Sequence, residues 1–105
     1  MKPVRLSVEA VEELAEAATW YDARQRGLGA KFIDEFERAL VSIGSRPASF
    51  PRLRDVSPDM GIRRIMLARF PYGLVFLELD VEIRVLAVAH AKRDPGFWLN
   101  RIEPS

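Results

Sequence analysis

The chain has 105 residues, of which 49% are hydrophobic and 30% charged, a balance typical of one folded domain spanning residues 1–105. The absence of cysteine excludes disulfides, cysteine-ligated zinc, iron–sulfur clusters and thiol nucleophiles, and favours a reducing compartment. The formal net charge of +1 is far below the positive excess that is typical of a nucleic-acid-binding domain. With no signal peptide and no apolar stretch that could cross a membrane, we expect a cytoplasmic protein.

The chain begins with a short apolar strand followed by an amphipathic helix. Residues 4–6 form the predicted strand, and Ser7 offers the hydroxyl of a helix N-cap. Apolar residues then recur at three- and four-residue steps as far as Tyr21, while glutamates take the other side. These glutamates predict either a solvated face or a docking surface for a basic partner. Gly27 can adopt the left-handed conformation that ends such a helix.

A second helix follows after a very short connector. Its predicted apolar stripe includes Phe32, Phe36 and Leu40, and Gly44 is its predicted end. Two helices joined so closely should form an antiparallel hairpin. Residues 45–61 contain three prolines and are predicted to be a loop.

The second half of the chain predicts three strands, over residues 62–68, 72–79 and 82–90, because branched and aromatic residues dominate these segments. The element order is therefore strand, helix, helix, strand, strand, strand. This order favours an α+β fold, in which a four-stranded, mainly antiparallel sheet carries the helical hairpin on one face. If the hairpin returns the chain to the end of the first strand, the second strand should run antiparallel to the first.

The alternation of side chains in the strands predicts a second apolar face. In the last strand Ile83, Val85 and Ala87 should face the helices. The opposite row, shared with the preceding strand, is also apolar and consists of Leu74, Phe76, Leu86 and Val88. Because one hairpin can cover only one face, this second face needs a cover. We expect a partner chain to supply it; the alternative is the C-terminal segment, through Phe97 and Trp98.

Few residues in the sequence point to catalysis. His90 is the only histidine, so no metal site is expected, and no cofactor motif is present. Its imidazole could transfer protons at neutral pH, or it could be a strand-end side chain bonded to backbone. Residues 1–45 carry six basic and eight acidic residues, whereas residues 46–105 carry ten basic and seven acidic. In this basic half Arg64, Arg69 and Arg93 could contact an anionic target, or could simply be solvated.

Several short motifs, taken together, resemble the RelE/ParE toxin superfamily. They are Trp20-Tyr21, Leu28-Gly29 with Phe32, residues 47–51, Arg63-Arg64, residues 69–72, and residues 85–90 with Arg93-Asp94-Pro95 and Trp98. The resemblance implies the toxin half of a type II toxin–antitoxin module, often labelled a plasmid stabilisation protein. It also implies a cognate antitoxin that wraps the toxin, so Leu74, Phe76, Leu86 and Val88 are predicted antitoxin contacts.

The superfamily contains two mechanisms, and the sequence resembles the ParE-like branch more closely. ParE-like members bind and inhibit DNA gyrase without catalytic residues, and this reading predicts a target surface of Arg64, Arg69 and Arg93. RelE-like members are ribosome-dependent mRNA endoribonucleases, for which Arg64, His90 and Arg93 would be the candidate catalytic residues. The chain lacks two of the basic residues usual in that branch, and their loss would weaken stabilisation of a pentacovalent phosphate. An inactive member that only binds its antitoxin is a third reading.

Overall fold

The computed structural model describes residues 1–53, 61–93 and 96–101. Asp94 and Pro95 of the motif named above lie outside the described residues, as do residues 54–60 and 102–105. In chain order the elements are β1 Val4–Leu6, α1 Val8–Arg24, α2 Leu28–Ser45, β2 Ile62–Met66, β3 Tyr72–Glu78 and β4 Ile83–His90, with single 3₁₀ turns at Pro47–Ser49 and Leu99–Arg101. The predicted α+β class and element order are confirmed. None of the helices that the structure describes is long and apolar enough to span a membrane.

Local interactions set the helix boundaries close to those predicted. The Ser7 hydroxyl accepts a hydrogen bond from the amide of Ala10 at 3.0 Å, which caps α1. Gly27 has a φ of 90° in the turn between the helices. The hairpin closes tightly at Gly29, where an added Cβ would lie 2.5 Å from the carbonyl oxygen of Ala18. The glycine therefore allows the two helix backbones to approach each other.

The four strands form a mixed sheet in the order β1-β4-β3-β2. β1 runs parallel to β4, whereas β4, β3 and β2 are antiparallel neighbours. β2 therefore runs in the same direction as β1, and the expectation that these two strands are antiparallel is wrong. The reason is that α1 continues along β4, with Tyr21 reaching Tyr72 at the far end of the sheet. α2 then returns to the start of β1, where Gly44 lies beside the carbonyl oxygen of Lys2.

The predicted separation of the two sheet faces is wrong at several positions because β4 contains a β-bulge. Val75 pairs with Ala87 but Phe76 pairs with Val85, so Leu86 is an extra residue. The side-chain alternation changes phase at this point. Ile83 and Val85 pack in the helix-facing core, as predicted. Val88 packs in the same core, and so do Leu74 and Phe76 from β3, although all three were predicted to lie on the opposite face. Of the row predicted to lie away from the helices, only Leu86 does so, and it is joined there by Ala87.

The second face of the sheet is covered by the chain itself. Trp98 is 2% exposed and packs with Ile62, Val75, Leu86 and Ala87, and Phe97 and Leu53 complete the cluster. The C-terminal segment, which was the alternative predicted from the sequence, therefore supplies this cover, and these buried residues need no partner chain to cover them. This second cluster buries the apolar face that the sequence analysis had expected a partner chain to cover.

Candidate functional site

A groove of about 610 Å³ lies between α1 and the carboxyl end of β4. The helix supplies residues spaced three and four apart, so they share one side of α1. The groove is lined by Glu13, Glu16, Ala17, Trp20, Tyr21, Pro71, Tyr72, Val88, Ala89, His90 and Arg93. We call this the α1–β4 groove. Its floor is apolar, and charged side chains stand at its rim.

Trp20 is the most prominent apolar side chain of the α1–β4 groove. It is 51% exposed, although its ring is held in place from two sides. Tyr21 contacts it edge-on with ring centroids 5.1 Å apart, and the guanidinium of Arg24 lies 4.2 Å above it. A large aromatic ring that is oriented but half exposed is typical of an interaction site. The sequence motif includes Trp20 without placing it in a groove; the four-residue spacing from Glu16 is the signal that puts both residues on one side of α1.

Glu13 is not part of a solvated face, contrary to one reading of the first helix. Its carboxylate accepts two hydrogen bonds from Arg101, at 3.0 and 3.1 Å, and one from the amide of Val88 at 3.0 Å. Arg101 also donates to the carbonyl oxygen of Leu86 at 3.0 Å. β1 ends opposite Val85, so this ion pair satisfies β4 backbone groups just beyond the end of β1. The two side chains are only 14% and 15% exposed.

The phenols in the groove are neutral at physiological pH. Burial raises the pKa of Tyr72 above its ordinary value, and the nearby Glu16 carboxylate raises it further. Burial also raises the pKa of Tyr21, with Tyr72 as the second cause. The ring of Tyr72 contacts that of His90 edge-on at 5.2 Å. Both hydroxyls therefore remain available as hydrogen-bond donors.

His90 is bonded to backbone, which is one of the two roles predicted for it. Its Nδ1 accepts a hydrogen bond from the amide of Lys92 at 3.1 Å. In the neutral side chain this hydrogen bond assigns the ring proton to Nε2. The same histidine lines both the α1–β4 groove and a smaller cavity on the second face of the sheet, near the end of β4.

The smaller cavity, of about 40 Å³, brings together the three residues predicted for a ribonuclease. Arg64 reaches it from β2, and His90 and Arg93 reach it from the end of β4. The guanidinium of Arg93 lies 3.9 Å above the ring of Phe97. We call this the basic pocket. Among its described lining residues the charged side chains are all basic, whereas carboxylates stand at the rim of the α1–β4 groove.

The other arginines named from the sequence lie elsewhere. Arg69 lines a separate groove of about 460 Å³ beside α2, with Lys31 and Arg38. Its amide donates a hydrogen bond to Glu35 at 2.7 Å. The predicted target surface is therefore divided, because Arg69 is not in the basic pocket with Arg64 and Arg93.

Arg63, adjacent to Arg64 in the motif, has a structural role. It donates hydrogen bonds to the carbonyl oxygens of Phe50, at 2.6 Å, and of Ala48, at 3.4 Å. Arg63 thereby fixes the segment after α2 against β2. Within residues 1–53, 61–93 and 96–101, no three histidine or acidic side chains are close enough together to hold a metal ion.

Comparison with known proteins gives a consistent family. The family model described as the ParE toxin of type II toxin-antitoxin system, parDE, matches residues 4–95. A solved structure of a chromosomal ParDE TA system from P. aeruginosa matches with a TM-score of 0.74 and 17% identity, covering 86% of this chain and 96% of that one. No relative among curated proteins matches the chain. The family match covers most of the chain and both walls of the α1–β4 groove, and the chain therefore belongs to the ParE toxin family of type II toxin–antitoxin systems.

Proposed function

We propose that this protein inhibits growth by binding DNA gyrase and is neutralised by a cognate antitoxin that occupies the α1–β4 groove. The α1–β4 groove, in which the ring of Trp20 is oriented but half exposed, is the observation that supports an antitoxin-binding site. Membership of the ParE toxin family and the similarity to a ParDE structure support a toxin that has an antitoxin partner. The resemblance drawn from the sequence supports gyrase as the target.

The lining of the groove suggests the chemistry of the antitoxin segment. An amphipathic segment would place apolar side chains against Trp20 and Pro71 and a basic side chain beside Glu16, all three of which are exposed and line the groove. Glu13 is less available, because Arg101 already pairs with it. Of the four predicted antitoxin contacts, only Val88 lines this groove. All four of these residues are at most 2% exposed, so the proposal replaces them with Trp20.

A supercoiling assay tests the target directly. The full chain should inhibit supercoiling of relaxed plasmid by purified gyrase, and addition of the antitoxin encoded beside it should restore activity. In cells, induction should cause filamentation and DNA damage signalling while translation continues at first. If supercoiling proceeds unchanged at a large excess of folded chain, gyrase is not the target.

A second candidate, an mRNA endoribonuclease, is favoured by one observation: Arg64, His90 and Arg93 line a single pocket. The two guanidinium groups could bind a phosphodiester, and the Nε2–H of His90 could donate a hydrogen bond to it. Under this alternative, induction would stop protein synthesis within minutes and leave cut mRNA. Replacement of Arg64 by alanine would abolish the cleavage while antitoxin binding survived, because Arg64 lines this pocket but not the α1–β4 groove. Intact mRNA after induction would exclude this candidate.

A further inference from the structure

The basic pocket differs from the larger grooves in its charge. Both larger grooves mix charges of the two signs: the α1–β4 groove carries Glu13 and Glu16 beside Arg93, and the groove beside α2 carries two acidic and three basic residues. In the basic pocket the charged residues of the described lining are Arg64 and Arg93, with the titratable His90 beside them. A site lined in this way attracts an anion.

Two donors of the basic pocket, those of Arg93 and His90, are held in place before any ligand arrives, and the third comes from a fully paired strand. Phe97 supports the flat face of the Arg93 guanidinium, so the N–H groups along its edge remain free to donate. The Lys92 amide occupies Nδ1 of His90, which leaves the Nε2 proton as a donor. Arg64 is exposed on β2, a strand paired along its whole length with β3. Within the described residues neither arginine is in an ion pair.

The size of the basic pocket limits what can enter it. Its volume of about 40 Å³ is far smaller than the 610 Å³ of the α1–β4 groove. Such a cavity admits the oxygen atoms of an anionic group but not a nucleobase. The exposed side chain of Met66, also part of the lining, offers apolar surface beside it. These features suit one phosphate group of a polymer that continues across the surface.

We propose that the basic pocket binds a backbone phosphate of DNA. This inference rests on the proposed function, which supplies DNA as the neighbouring polyanion. We expect this contact to be independent of base sequence, because guanidinium groups that bind a phosphate do not contact the edges of the bases. The net charge of +1 means that the affinity of the isolated chain should fall in the weak range of non-specific binding, about 10⁻⁴ to 10⁻⁶ M.

Fluorescence anisotropy with the full chain and a short labelled DNA duplex tests the proposal. Two arginine–phosphate contacts predict a slope of about −1.8 in log K against log salt, or about a tenfold loss of affinity between about 50 and about 200 mM salt. The double variant R64A/R93A should bind at least about tenfold more weakly at the lower salt, with a slope near zero. The control K31A/R38A removes the same two charges from the groove beside α2 and should bind DNA like the unaltered chain.

R93A also removes the contact between Arg93 and Phe97, so the double variant could lose DNA binding through misfolding. A second variant controls for this. R64A alone leaves that contact in place and should weaken DNA binding about threefold, with the slope reduced by about 0.9. Single-stranded RNA of the same sequence, measured in parallel, distinguishes the source of the phosphate. DNA binding that survives in R64A/R93A, or binding to RNA with none to DNA, would overturn the proposal.

The supercoiling assay separates this inference from the proposed function. If the unaltered chain binds DNA through the basic pocket but never inhibits gyrase, the proposed target fails while the DNA contact stands. If it inhibits gyrase and R64A/R93A binds DNA as tightly as the unaltered chain, the target stands and the phosphate contact in the pocket is refuted.

Discussion

Replacing Glu13 with alanine tests the ion pair that joins α1 to the C-terminal turn. The carboxylate accepts two hydrogen bonds from Arg101 and one from the Val88 amide. Its removal would leave a largely buried guanidinium without an anionic partner and an amide without an acceptor. Breaking a buried pair in this way costs about 3–5 kcal/mol. Because both side chains keep some contact with water, we expect Glu13→Ala to lower the free energy of unfolding by about 2–4 kcal/mol.

Urea unfolding followed by the fluorescence of the buried Trp98 measures this loss, and the melting temperature should fall by roughly 10–20 °C. The matched control is Glu78→Ala, which breaks the ion pair with Lys2. That pair has a similar length, 2.9 Å, but its side chains are 34% and 35% exposed. We expect the control to cost about 1 kcal/mol or less, because solvent screens an exposed pair.

A double-mutant cycle with Arg101→Ala identifies the pair as the source of the effect. If Glu13 and Arg101 act together, the coupling energy should be about 2 kcal/mol. The reasoning is refuted if Glu13→Ala costs no more than Glu78→Ala, or if the losses of the Glu13 and Arg101 variants simply add. Either result would mean that Glu13 belongs to a solvated face after all.

Three further predictions follow from single contacts. Gly29→Ala should destabilise the fold by about 1–3 kcal/mol, measured by thermal unfolding, because its Cβ would lie 2.5 Å from the Ala18 oxygen. Trp20→Ala should weaken antitoxin binding about 30-fold by calorimetric titration, whereas Val41→Ala, which alters a similarly exposed apolar side chain on α2, should leave it unaltered. Because burial raises the pKa of Tyr72 from 10.0, the neutral phenol stabilises the folded state below pH 10, and this contribution is lost as the pH rises through the raised pKa. Melting temperatures above pH 10 should therefore fall less steeply in Tyr72→Phe, and an unchanged profile would contradict the assignment.

The sequence predicted the elements well because local signals determine them. The Ser7 cap and the Gly27 turn depend only on neighbouring residues, and both lie where expected. Strand direction depends instead on how far a helix travels over the sheet. The 17 residues of α1 carry the chain well beyond the end of β1, so the hairpin returns it to the start of that strand. No local sequence pattern indicates how far α1 extends along the sheet relative to β1.

The candidate site was predicted only in part, for a related reason. Both rows of β3 are apolar, so alternation could not decide which row faces the helices. In β4 the bulge at Leu86 has no distinctive residue type to reveal it. The convergence of Arg64 and Arg93 in one pocket also depends on strand order, since β2 and β4 both pair with β3. Motif resemblance identified these arginines without showing which of them lie together.

The bulge at Leu86 determines the shape of the α1–β4 groove. Strict alternation from Val85 onward would turn Val88 and His90 away from the helices. The extra residue instead returns Val88 to the helix-facing core and brings the ring of His90 against Tyr72. The Glu13–Arg101 pair then bonds to the backbone beside the bulge. Arg101 donates a hydrogen bond to the carbonyl oxygen of Leu86, and Glu13 accepts one from the amide of Val88. Because the pair that stabilises the domain also holds the bulge, a variant that breaks it should alter the groove as well as the stability.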